Sequence, residues 1–83
     1  MATNFPVSDQ TRRVAEAQAH LMREVVTLTL AYLDAHQDGC TNTQVRRYVL
    51  DHVASDVWRD ADIPEYDSAK FVDYVVRLNR KTW

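Results

Sequence analysis

Leu21-Met22-Arg23-Glu24-Val25-Val26-Thr27-Leu28-Thr29-Leu30-Ala31-Tyr32-Leu33 is the stretch on which the fold turns. Only Arg23, Glu24, Thr27 and Thr29 interrupt its apolar residues, so a helix built from it is apolar on more than one side. Extended in both directions, the pattern keeps helical spacing: Val14, Ala17, Leu21, Val25, Leu28, Tyr32 and Ala35 alternate steps of three and four, and Ala15, Ala19, Met22, Val26 and Leu33 form a stripe beside them. Ser8 or Asp9 can cap the start, and Gly39, the only glycine, stands where a left-handed residue would end the helix. The predicted helix spans about 9–37. At about 1.5 Å per residue it is roughly 40 Å long, against a radius of gyration of about 12 Å for a compact domain of this size. Either its first turns project or it bends.

Downstream, Thr41 and Gln44 have the spacing of a capping box, with Cys40 and Val45 at the positions of a hydrophobic staple. They open a second predicted helix, about 42–58, with Val45, Tyr48, Val49, His52, Val53 and Val57 on its buried face. Residues 59–67 have no periodicity, contain Pro64 and are rich in aspartate, so they read as a solvated loop pinned by Ile63 and Tyr66. Asp67 or Ser68 then caps a third helix, about 68–81, whose buried face is Phe71, Val72, Val75, Leu78 and Tyr74. It ends in Arg77, Arg80 and Lys81, a favourable place for cations. The expected fold is all-α, a small three-helix bundle. A flexible segment 1–8 precedes a single domain, 9–83.

Composition agrees. The chain has 83 residues, one glycine, two prolines, one cysteine and a formal charge of −2, which leaves few turns for hairpins and no general attraction for phosphate backbones. A lone cysteine cannot make an internal disulfide, and with no signal-peptide pattern or membrane-length apolar run the expected location is cytoplasmic.

Chemistry is sparse. The stretch Asp34-Ala35-His36-Gln37-Asp38-Gly39 starts like a calcium loop, but His36 stands at its third position and Val45 at its twelfth, where a bidentate glutamate is required. His36 and Cys40 are separated by Gly39, and His20 and His52 lie on other helices, so no metal ligand set is expected. Cys40, Ser8, Ser55 and Ser68 lack a nucleophile setting, and one glycine cannot build a phosphate-binding loop. No catalytic residue, metal or cofactor is predicted.

Two functions fit. The first is a non-enzymatic interaction module, a regulator, adaptor or inhibitor of a larger protein that self-associates as a homodimer through its first helix. Its interface would comprise Leu21, Met22, Val25, Val26 and Leu28, with Trp58 and Trp83 as aromatic anchors. The second rests on the order of a helix ending near Gly39, a capped helix from Thr41 and a basic third helix. This order resembles the tri-helical core of winged-helix regulators over about half the chain. That resemblance implies DNA contact through Lys70, Arg77, Arg80 and Lys81. The connection 59–67 is longer than that family's turn, no strands for a wing follow, and the acidic loop adjoins the recognition helix, where phosphate would repel it.

Overall fold

The computed structural model describes residues 8–37 and 39–82; the segment expected to be flexible, Ser8 apart, and Trp83 lie outside them. Four helices and no strand form among the described residues: α1 Asp9–His36, α2 Asn42–His52, α3 Ser55–Asp60 and α4 Glu65–Thr82. The chain is an all-α bundle, with one helix more than the sequence pattern predicts.

Ser8 is the residue that caps α1, its hydroxyl accepting the Thr11 amide at 3.1 Å. The burial axis of α1 runs through Leu21, Val25, Thr29 and Leu33, so Thr29, which looked like an interruption of the apolar pattern, sits at its centre. Val14, Ala17, Leu28 and Tyr32 are half-buried, whereas Ala15, Ala19, Met22 and Ala35 are exposed. Residues 8–13 are exposed throughout, and the molecule measures 49 × 30 × 17 Å with a radius of gyration of 15.0 Å. The length of α1 is therefore met by overhang of its first turns.

The helix does not end as its glycine implies. Gln37 takes the positive φ, 52°, and its amide bonds Leu33 O at 2.6 Å, while Gly39 has no positive φ. What Gly39 provides is clearance: a Cβ there would lie 3.1 Å from the His36 carbonyl oxygen, to which its own amide donates at 2.9 Å. The capping box of α2 is present in both halves, Thr41 N to Gln44 Oε1 at 2.8 Å and Gln44 N to Thr41 Oγ1 at 3.2 Å. Cys40 and Val45, the two staple positions, are both buried.

The expected single helix 42–58 breaks at Val53 and Ala54, both extended. On an unbroken helix Val49 and Trp58, nine residues or two and a half turns apart, would face opposite ways. The break redirects the chain so that Val49, Val53, Trp58 and Ala61 all enter one core. His52 consequently ends α2 exposed. A second difference follows at 59–67: most of it is helical, and only 61–64 connect α3 to α4. Pro64 is followed directly by helix, and the Asp67 amide bonds its carbonyl at 2.9 Å; proline suits a helix start, where no amide is needed. Ser68 thus lies inside α4, donating to Glu65 O at 2.6 Å rather than capping. Ile63 packs on the core, but Tyr66 is 79% exposed.

Valine supplies most of the core: Val25, Val45, Val49, Val53, Val72, Val75 and Val76 surround Leu21, Leu33, Trp58 and Ala61. Two long-range contacts fix direction. Gln18, in the first half of α1, reaches Ala61 O just before α4 at 3.1 Å. Arg80, near the end of α4, reaches Cys40 O just after α1 at 3.0 Å. Hence α1 and α4 run the same way. No described helix is long and apolar enough to cross a membrane.

Candidate functional site

A core of short valines lets helices approach closely, and with interaxial distances of about 8–10 Å a molecule 17 Å thick has no room to enclose a helix on all sides. α1 packs against α2, α3 and α4. Tyr32 meets Tyr48 of α2, their ring centroids 4.9 Å apart, and Val14 and Ala17 border the Arg59 end of α3. By helical register α4 must then lie on the side of Thr29 and Leu33, which places Met22, Val26 and Leu30 along its outer margin. On α4, Asp73 and Arg80 face α2 through Arg46 and Asn42, so Leu78 and Tyr74 fall toward the opposite margin, beside α1.

These two margins hold four of the five exposed large apolar side chains among the described residues, Tyr66 being the fifth. Met22 is 41% exposed, Leu30 38%, Tyr74 62% and Leu78 45%; Val26 is half-buried between them. Leu78 and Tyr74, expected in the core, are outside it because the burial axis of α4 passes through Val72, Val75 and Val76. Of the interface residues read from sequence, Leu21 and Val25 are wholly buried inside the monomer, Leu28 is half-buried, and Met22 and Val26 belong to the outer margin. Trp58, expected as a partner anchor, is instead a core residue, 8% exposed and edge-on to Phe71 at 5.9 Å. Leu30 was missed, although its spacing of eight from Met22 and four from Val26 marks the same face.

The basic residues at the end of α4 have different fates. Arg80 Nη1 donates to Cys40 O and to Asn42 Oδ1, both at 3.0 Å, tying α4 to the α1–α2 junction. Arg77 Nε donates to Asp73 at 2.8 Å, and Arg46 of α2 meets the same carboxylate at 3.3 Å. The Arg77 hydrogen bond, reinforced by the charges of Arg77 and Arg46 and opposed by desolvation, holds the Asp73 carboxyl below its ordinary value of 3.8. Lys70 and Lys81 are exposed.

His20 pairs with Glu24 at 3.2 Å. His36 stacks on Tyr32 at 4.1 Å and His52 on Tyr48 at 4.0 Å, forming a row of four rings across the α1–α2 seam. Among the described residues no group of three His, Cys, Asp or Glu could hold a metal ion. Cys40 is buried, its thiol 3.7 Å from Gln37 O. An open cleft of about 530 Å³ lies between α2, α3 and α4, walled by Leu50, Val53, Trp58 and Ile63. No protein-family model matches the chain, and neither a curated protein nor a solved structure matches it.

Proposed function

We propose that this chain is a non-enzymatic interaction module that pairs with a second copy and acts on a larger protein as a regulator, adaptor or inhibitor, using the outer margin shared by α1 and α4. The observation that carries the reading is the exposure of Met22, Leu30, Tyr74 and Leu78 on two neighbouring parallel helices. Large apolar side chains on one face lose water-exposed area only by acquiring a partner, at about 25 cal/mol per Å² removed from water. The interface thus shifts from the buried stripe of Leu21 and Val25 to the adjacent stripe of Met22, Val26 and Leu30. A reducing, cytoplasmic setting fits the single cysteine.

DNA binding has less support. Of the four basic residues it requires, Arg80 is engaged inside the fold and Arg77 is paired with Asp73, which leaves Lys70 and Lys81 as uncompensated charges for phosphate.

Leu30→Lys tests the reading. Leu30 is already 38% exposed, so the change should leave the helical circular dichroism spectrum intact and shift stability by about 0.5 kcal/mol at most. The expected result in sedimentation equilibrium is a concentration-dependent dimer for the parent chain and a monomer for the variant. A parent chain that stays monomeric at millimolar concentration refutes self-association.

A further inference from the structure

We propose that the second copy docks in the antiparallel sense, α4 against the partner's α4, with Tyr74 at the two-fold axis. The inference rests on the α1–α4 margin being the interface and specifies what covers it. Asp67, Tyr74 and Lys81 are spaced by seven, so they share one stripe of α4 with a drift of only about 20° per step. Asp67 is half-buried, Tyr74 is 62% exposed and Lys81 is exposed. Neither Asp67 nor Lys81 makes an ion pair among the described residues. The stripe therefore carries a negative charge at one end, an aromatic ring at its midpoint and a positive charge at the other.

Such a stripe is complementary to its own reversal. Antiparallel pairing centred on Tyr74 sets Asp67 against the partner's Lys81, and symmetry repeats the pair. It also sets Lys70 against the partner's Leu78, where the lysine stem covers the leucine while its ammonium stays in water. Parallel pairing is opposed by charge, because it places Asp67, Lys70 and Lys81 each against its own copy, and like charges across an interface are strongly unfavourable. α1 runs with α4, so the same axis reverses both helices.

The experiment is a charge exchange read by sedimentation equilibrium, with circular dichroism confirming that each variant is folded. Asp67→Lys and Lys81→Asp each create two like-charged contacts, and each should raise the dimer dissociation constant about tenfold or more. The double variant restores both pairs in exchanged order and should return to within about threefold of the parent, a non-additivity that separate structural effects would not produce. A second arm is independent of charge. Tyr74→Cys should give a covalent dimer under mild oxidation, since a disulfide requires Cα atoms about 4.4–6.8 Å apart, whereas Lys70→Cys should not. A parent chain that never dimerises removes both this geometry and the reading beneath it. A dimer lost in Leu30→Lys but lacking both double-variant recovery and the Tyr74→Cys cross-link overturns the antiparallel geometry alone.

Discussion

Replacing Thr29 with valine should stabilise the protein, although it removes a hydroxyl from the middle of the longest helix. Thr29 is wholly buried on the axis of α1, between Val25 and Leu33, and its Oγ1 has no hydrogen-bond partner. A buried donor left unsatisfied costs about 1–3 kcal/mol relative to water. Valine has nearly the same shape and similar helix propensity, so the exchange removes the desolvated hydroxyl and adds a buried methyl without changing the backbone. Taking the lower half of that range, the gain is about 1–2 kcal/mol, and for a domain of this size each kcal/mol raises the midpoint by about 4–8 °C. Urea unfolding followed at 222 nm gives the free energy, and a thermal melt gives the midpoint. Thr29→Ser is the control: it keeps the hydroxyl and loses the methyl, so it should fall about 1 kcal/mol below the parent. A valine variant equal to or weaker than the parent would mean that the hydroxyl is bonded in solution, and the reasoning would fail.

Two further outcomes follow from the polar contacts of α4. Arg80→Met should cost about 1–3 kcal/mol in urea unfolding, because it deletes charged hydrogen bonds to Cys40 O and Asn42 Oδ1; Arg47→Met, at an exposed arginine of α2, should be neutral within about 0.5 kcal/mol, and equal losses at the two sites would contradict the structural role of Arg80. For Asp73, a folded value depressed below 3.8 means that its contribution is complete above the unfolded value and is lost as pH falls through the lower, folded one. The stability difference between the parent and Asp73→Asn should therefore be constant near neutral pH and close in acid below about 3.8; a difference that persists there would show that ionisation of Asp73 is not its source.

Much of this architecture is legible in the sequence where a local motif does the work. Thr41 and Gln44 announce α2 because a capping box needs only four consecutive residues, and the long periodic run of α1 needs no knowledge of its neighbours. The features that escape are those set by packing. Nothing local marks the break after His52, since neither Val53 nor Ala54 is a helix breaker; it exists because Val49 and Trp58 must reach the same core. Tyr66, Tyr74 and Leu78 look like core residues by type, yet the neighbouring valines take the inward positions. The proposed interaction face is half-legible for the same reason. Where two adjacent stripes of one helix are both apolar, periodicity locates the pair but not which stripe meets the other helices, and only the placement of α2, α3 and α4 separates Leu21 and Val25 from Met22, Val26 and Leu30.

The valine-rich core bears on how the helices come into being. Valine is a poor helix former because its branched Cβ loses rotational freedom against the preceding turn, and α2 and α4 place it at Val45, Val49, Val72, Val75 and Val76. At eleven residues α2 is below the length of about 12–15 at which even favourable sequences hold a helix alone in water, and α4, at eighteen, exceeds it only slightly. They are helical because they are docked. Secondary structure and tertiary structure should accordingly be lost in one step, and a peptide cut from α2 has no route to its native shape without the rest of the chain.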